Sequence, residues 1–463
     1  MCSISGAFAL TSLINPTVYR RVLTAAKERG RDSIGVAWDG AVSPASFRAV
    51  TGPGADRDAV DEGLSAVAPR RYVIANNRAT PTTEWVQGLS ADDVQPYETE
   101  RFIVVHNGTI ANDKELAAEL GLAAPAIDSQ IIGPVIEAEA EKSSAFIRPA
   151  LDRLVGSYAL AVYDKWDESL TLAANYKPIH TAVVDGVLYF ASQPHHLPRL
   201  ADVGDEFGST VQKLDPYSWA TFHSGGEVET GRLLDEPARH RSLVVLSGGL
   251  DSTVVLSALI AEGHDVAALH ISYGARANDE EVAAVNAVCD RLGVELIHVT
   301  TDLFTNTIKA SRLTNTHDEI AGGEAGAELA FEWVPARNLI MSSIAVGIAE
   351  ARGFNTIALG NNLEESGAYP DNEQEFIRGL NSVMPNAVNA GQRVRFVQPL
   401  GNLMKHEIVS LGAAVGAPFE LSWSCYNHGE KHCGDCGPCF MRHTAFLMND
   451  LADPTDYEKE PQP

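Results

Sequence analysis

Leu243-Val-Val-Leu-Ser-Gly-Gly-Leu-Asp-Ser-Thr253 decides how the second half of this 463-residue chain is read. Its four leading apolar residues read as a buried strand. Gly248 and Gly249 then permit a tight turn, and the apolar run Val254-Val-Leu-Ser-Ala-Leu-Ile260 continues as a helix. Strand, glycine turn and helix N-terminus together make an anion site, because unpaired N–H groups and the helix dipole converge there. The loop from Ser247 through Gly248, Gly249 and Leu250 to Ser252 supplies backbone and hydroxyl donors, and Asp251 suits a metal ion or polarisation of the turn. No lysine follows the second glycine, so this is not the common Gly-x4-Gly-Lys-Ser/Thr nucleotide loop. A plain strand–turn–helix with incidental glycines is the alternative.

Around this loop, strand-like runs at 243–246, 266–272, 295–300 and 356–360 alternate with helical stretches at 252–262, 278–292, 337–352 and 404–415. That alternation predicts βαβ units and a parallel α/β sheet binding ligands at the carboxyl ends of its strands. The first half reads differently. Short β-like runs at 34–38, 72–75, 102–106, 158–163 and 183–190 are interrupted by helical segments near 17–29, 113–120 and 146–154, which predicts an α+β layer structure. Asp185-Gly186 is a hairpin signal. The expected division is a first domain over 2–223, a polar linker over 224–240, a second domain over 241–450 and a loose acidic, proline-containing tail over 451–463.

The formal net charge of −26 sets an unfavourable field for a polyanion, so small-molecule substrates are expected ahead of nucleic acid. No run of 18 apolar residues and no signal-peptide pattern is present, which predicts no membrane span and a cytoplasmic location. Nothing in the sequence opposes a homo-oligomer. Four of the six cysteines cluster at Cys425, Cys433, Cys436 and Cys439, and in a reducing compartment such a cluster reads as metal binding before disulfides. Four thiolates suit a tetrahedral structural zinc site with no open position. His428 and His432 are further candidate ligands, and an iron–sulfur cluster uses similar spacing.

Position 2 is a cysteine. Once the initiator Met is removed, Cys2 carries a thiol beside a free α-amine of pKa about 7.7–8.0, which can serve as its base. Arg29-Gly-Arg-Asp-Ser-Ile-Gly35, Asn77-Arg-Ala-Thr80, His106-Asn-Gly-Thr-Ile-Ala-Asn112 and Asp128-Ser-Gln130 follow in order. In combination these resemble class II glutamine amidotransferases over about 2–223, and imply an N-terminal-nucleophile glutaminase fold. The resemblance implies that Cys2 attacks the glutamine carboxamide, Asn107 and Gly108 stabilise the oxyanion, Arg78 holds the α-carboxylate and Asp128 the ammonium, while Arg29 and Asp32 shape the pocket.

In the second half, Ser-Gly-Gly-x-Asp-Ser resembles the pyrophosphate loop of enzymes that cleave ATP to AMP and pyrophosphate. Together with Tyr273-Gly-Ala-Arg276, Val334-Pro-Ala-Arg-Asn338, Tyr369-Pro-Asp371, Lys405-His-Glu-Ile408 and the cysteine tail with Arg442, it is similar to the 7-cyano-7-deazaguanine synthase family over nearly all of 241–446. That resemblance implies ATP with Mg2+ as co-substrate, adenylation of 7-carboxy-7-deazaguanine, amide formation by ammonia, and a second adenylation that drives dehydration to the nitrile. Arg337 and Lys405 would bring positive charge to ATP or the substrate carboxylate, and Asp371 would read the purine-like edge. Asn372 and Glu373 follow Asp371 where the family usually has Cys-Arg. Three other readings compete: an amidotransferase turning a nitrile into the archaeosine-type amidine on tRNA, DNA or free base, an asparagine synthetase-like amidation, and a nucleic-acid-binding zinc knuckle on degenerate domains.

Overall fold

A computed structural model describes residues 2–40, 44–51, 57–79, 90–197, 211–308, 311, 313–314, 333–366 and 369–461. It divides into two compact units, residues 1–235 and 236–463.

Among the described residues, unit one carries thirteen strands: β1 (Ser3–Ala9), β2 (Ser33–Asp39), β3 (Pro44–Val50), β4 (Tyr72–Arg78), β5 (Tyr97–Glu98), β6 (Phe102–Ile110), β7 (Gly156–Asp164), β8 (Ser169–Ala174), β9 (His180–Val184), β10 (Val187–Ala191), β11 (Gln212–Lys213), β12 (Ser218–His223) and β13 (Val228–Arg232). They form two sheets, ordered β11-β9-β10-β1-β4-β2-β3 and β13-β12-β8-β7-β6-β5, antiparallel throughout. Ile4, Phe8 and Ile74 from the first sheet meet Ile103, Val105 and Leu172 from the second in one buried cluster. The alternate faces pack on helices. Val18, Tyr19, Val22 and Leu23 of α1 (Pro16–Ala26) cover the first sheet, which α2 (Arg57–Ser65) also flanks. Residues of α3 (Asp113–Glu119), α4 (Ile132–Ala140) and α5 (Ile147–Asp152) cover the second. Period-two alternation with both faces buried thus yields a helix–sheet–sheet–helix sandwich, with the chain entering on a central strand. This is the N-terminal-nucleophile architecture.

Unit two holds a five-stranded parallel sheet ordered β16-β15-β14-β17-β18, from β14 (Arg241–Val245), β15 (Asp265–Ser272), β16 (Glu295–Thr300), β17 (Thr356–Ala358) and β18 (Arg395–Val397). Helices α6 (Leu250–Ala261), α7 (Asn278–Leu292), α8 (Arg337–Arg352), α9 (Leu363–Ser366), α10 (Gln374–Ala387), α11 (Lys405–Val415) and α12 (Gly437–Met448) complete it. Apolar clusters lie on both faces of the sheet. The order turns at β14: the next strand in sequence pairs on one side and β17 on the other, which opens a crevice at the carboxyl end of β14.

Two boundaries differ from expectation. The stretch 224–240 is not a free linker, because β13 pairs with β12 in a hairpin and Leu233 is buried in the core of unit one. Nor is the tail loose over its described part. Arg442, 1% exposed, bonds Asp453 at 3.2 Å, and Tyr457 donates to the same carboxylate at 2.6 Å. Gly434, at φ 74°, has the Lys459 carbonyl where a Cβ would sit, so the tail lies directly on the cysteine segment.

Candidate active sites

In unit one the expected glutaminase residues gather at one end of the sandwich. Ser3 pairs with Asn77 in the β1–β4 register, which sets Cys2 opposite Arg78. Cys2 is half-buried, and its thiol lies 3.6 Å from the Ala79 carbonyl. On the other side of β4, Ser33 pairs with Arg78, and the Asp32 N–H donates to the Arg78 carbonyl at 2.9 Å. The turn carrying Arg29 and Asp32 reaches this place because Gly30 has no side chain: a Cβ there would stand 2.1 Å from the Asn77 carbonyl. Thr80, the last residue of the second motif, lies outside the described residues, as does Met1.

From the facing sheet, β6 brings Asn107 and Gly108, paired with Ala159 and Tyr158. The Asn76 amide crosses between the sheets to the His106 carbonyl at 2.8 Å. Asp128 accepts from the Ile110 N–H at 2.6 Å and from the Ser129 hydroxyl at 3.1 Å. The same hydroxyl stands 2.7 Å from His106 Nδ1, and Gln95 accepts the His106 N–H at 2.6 Å. Burial holds the His106 pKa below the ordinary histidine value, so the ring is neutral near pH 7. Thus a Gln95–His106–Ser129–Asp128 network braces β6, the strand that carries Asn107 and Gly108. His106 and Ser129 stood inside quoted motifs, but Gln95 carried no sequence signal. Gln130 turns away, and its side chain caps its own turn by accepting from Ala126 and Ile127 N–H at 3.0 and 3.2 Å.

In unit two, Gly249 caps α6, and Gly248 adopts φ 89°, a conformation that favours glycine. The hydroxyls of Ser247 and Ser252 lie 3.0 Å apart, Ser252 Oγ accepts the Ser247 N–H at 3.2 Å, and Thr253 Oγ1 donates to the Gly249 carbonyl at 2.8 Å. These contacts fix a hydroxyl-lined turn at the positive end of the helix. Buried residues surround α6 nearly all round, so the loop stands on a rigid core element.

Beside it, Lys405 Nζ bonds Asp251 at 2.6 Å and Glu365 at 3.2 Å, while Asn362 donates to Asp251 at 3.1 Å. Burial opposes the Lys405 charge, but the two carboxylates outweigh it and raise its pKa. Burial raises Asp251, and Lys405 offsets only part of that. The Lys405 charge is therefore shared with carboxylates inside the site. The other oxygen of Asp251 is buried with no hydrogen-bond partner among the described residues. Arg337 bonds the Tyr273 hydroxyl at 3.3 Å and lies 5.8 Å from its ring centroid. Asp371 is half-buried, and burial raises its pKa against the pull of Arg337. Asn372 bridges Glu365 and Asn338, each at 3.2 Å, which gives the departure after Asp371 a structural role.

The four expected cysteines converge, with all sulfurs within 4.8 Å of one another. Cys436 Sγ lies 3.9 Å from Cys425 and 3.4 Å from Cys439. Sulfurs at about 2.3 Å from one tetrahedral ion stand roughly 3.8 Å apart, so the set fits a metal. Asn427 and Cys433 N–H groups point at Cys425 Sγ, and the Asp435 N–H at Cys433 Sγ, as thiolates require. His432 accepts the Ser424 N–H at 3.0 Å, and His428 pairs with Glu280, so neither joins the set. The Trp423 N–H, two residues before Cys425, donates to the Gly248 carbonyl at 2.8 Å. That bond joins the cysteine segment to the Ser247–Ser252 loop.

Two layered units of this kind define a glutamine amidotransferase joined to an α/β unit with a pyrophosphate-type loop. A family model described as a glutamine amidotransferase domain matches residues 84–199, a stretch that leaves out Cys2 and the Arg29 motif. One described as queuosine biosynthesis protein QueC matches 241–450. Proteins named 7-cyano-7-deazaguanine synthase from Saccharolobus solfataricus and Sulfolobus acidocaldarius are each 41% identical, covering 99% of this chain and 100% of theirs. The chain belongs to the 7-cyano-7-deazaguanine synthase family. A protein of that name from Methanothrix thermoacetophila is 38% identical over 47% of this chain and 99% of its own, so the family includes members without a glutaminase half. No helix among the described residues is long and apolar enough to cross a membrane.

Proposed function

We propose that the chain converts 7-carboxy-7-deazaguanine to 7-cyano-7-deazaguanine with nitrogen from glutamine and energy from ATP. The observation that carries this is the Ser247–Ser252 cradle at the N-terminus of α6, in a chain whose unit one places a cysteine at the head of a central strand. In unit one, Arg78 and Asp128 grip the two charged ends of glutamine, with Arg29 and Asp32 shaping the pocket. The Cys2 thiol passes its proton to its own α-amine and attacks the carboxamide, Asn107 and Gly108 stabilise the oxyanion, and ammonia leaves. Water then releases glutamate.

In unit two, the loop from Ser247 to Ser252 holds the departing pyrophosphate. A substrate carboxylate oxygen attacks the α-phosphorus of ATP, and ammonia displaces AMP to give the amide. The amide oxygen attacks a second ATP, and loss of AMP with two protons leaves the nitrile. Mg2+ arriving with ATP would supply neutralising charge, and Asp251 with Glu365 would hold it, since one Asp251 oxygen beside the loop has no hydrogen-bond partner among the described residues. Arg337 and Lys405 temper the carboxylate charge of the site, and Asp371 accepts N–H groups of the base. The four cysteines hold structural zinc.

Substrate with both carboxylate oxygens labelled with 18O tests the scheme, because each adenylation transfers one label to AMP. Unlabelled AMP beside normal product, or nitrile consumption without ATP cleavage, refutes it and favours the amidine-forming reaction.

A further inference from the structure

In unit one, Glu28 follows α1, and His195 and His196 form a tight turn after β10. One Glu28 carboxylate oxygen lies 2.5 Å from His195 Nε2 and 2.8 Å from His196 Nε2. The three ligand atoms fall within 4.8 Å of one another, and the described residues hold one other such group, the four cysteines. His196 is 2% exposed, and its Nδ1 is buried with no hydrogen-bond partner among the described residues, so the ring's side-chain polar contact is made at this cluster. His195 and Glu28 are about half exposed, which leaves room for water on the open side.

We propose that Glu28, His195 and His196 form a second metal site, for a divalent transition ion such as Zn2+. Two imidazoles and one carboxylate are a donor set that Zn2+ accepts, while Ca2+ and Mg2+ prefer oxygen shells. Donors at about 2.0–2.2 Å from one tetrahedral ion stand roughly 3.4 Å apart. The carboxylate therefore has to withdraw by less than an ångström, which its exposure allows. Two of the ligands are neighbours on a rigid turn, and the third comes from the end of a helix, so one ion would staple the two. That turn is tied to the nucleophile's strand, since Ile4 N–H donates to Ser192 Oγ and Ser192 N–H to the Ile4 carbonyl, both at 3.0 Å. Glu28 is also next in sequence to Arg29. The ion would hold the Arg29 turn against the strand that presents Cys2.

The test titrates Co2+ into the full-length protein with its cysteine site already filled with zinc, followed by visible absorption. One further equivalent is expected, showing d–d bands without thiolate-to-cobalt charge transfer and displaced by Zn2+. Glu28→Gln and His195→Asn alter exposed side chains, and each is expected to weaken binding about 10-fold or more. Added Zn2+ should raise the thermal transition of the parent protein but not of the double variant. Superimposable isotherms for parent and double variant, or bands carrying thiolate charge transfer, overturn the site.

Discussion

Replacing Lys405 with Met removes the cation that pairs with both Asp251 and Glu365. The cluster then changes from one positive and two negative charges to two negative charges. Side-chain exposures of 11% for Lys405, 16% for Asp251 and 35% for Glu365 show a pair largely withdrawn from water, with Glu365 the most hydrated. Breaking a buried pair by removing one partner costs roughly 3–5 kcal/mol. Partial hydration of Glu365 puts the expected loss near the lower end, about 3 kcal/mol. With a urea slope of ~2 kcal/mol/M for a unit of this size, the midpoint of the second unit should fall by about 1.5 M. The diagnostic step is a second substitution. Asp251→Asn added to Lys405→Met returns the net charge to −1 and should recover most of the loss, although either change alone destabilises. Equilibrium unfolding in urea, followed by tryptophan fluorescence, reads both. A single variant within about 0.5 kcal/mol of the parent, or a double variant less stable than either single one, would show that the three groups are not an electrostatic unit.

Cys2→Ala should abolish glutamine-dependent product formation while leaving activity with high ammonium salt, and equal loss with both donors would sink the division of labour. Cys436→Ser should lose the bound metal, read by elemental analysis, and unfold the second unit, because a structural metal contributes directly to folding; stoichiometric iron in the parent would replace zinc by a cluster. Glu281, beside the loop, has its carboxyl pushed up to about 7 by burial from 4.5. The fold therefore favours its neutral form: stability is greatest below pH 4.5 for this group and falls as pH rises toward 7. Glu281→Gln should stabilise the second unit by about 1–2 kcal/mol at pH 8, less than the full shift because the residue is only part-buried, and flatten that slope; unchanged pH dependence of the unfolding midpoint counts against it.

What could be read from residues alone was local chemistry. The Asp185-Gly186 turn joins β9 to β10 as expected, and the Leu243–Thr253 stretch folds as strand, turn and helix. Those signals are short-range, set by glycine and by apolar runs. Strand β13 was illegible because Val228-Glu-Thr-Gly-Arg232 is an exposed edge strand with no alternation. Its partner lies in β12, and Gly231 is required because the Trp219 ring occupies the place of a Cβ. The tail misled for a related reason. An acidic, proline-bearing end reads as solvated, yet Asp453 is the counter-ion of Arg442, whose burial no pattern announces. In unit one, Cys2, Arg78 and Asp128 were visible as motif residues, but the Gln95–Ser129 bracing joins distant segments through side-chain geometry.

The bond from Trp423 N–H to the Gly248 carbonyl implies a particular way for this enzyme to fail. An oxidant that attacked the cysteine cluster, which begins two residues away, would eject any metal held there and slacken the segment bonded to the Gly248 turn. The thiol at the other end of the chain folds in a separate unit and needs none of that scaffolding. Damage confined to the cysteine segment would then leave a chain that still spends glutamine and spills ammonia into solution while making nothing from it. The first sign of such damage would be a rising ratio of glutamate to AMP, well before any loss of overall fold.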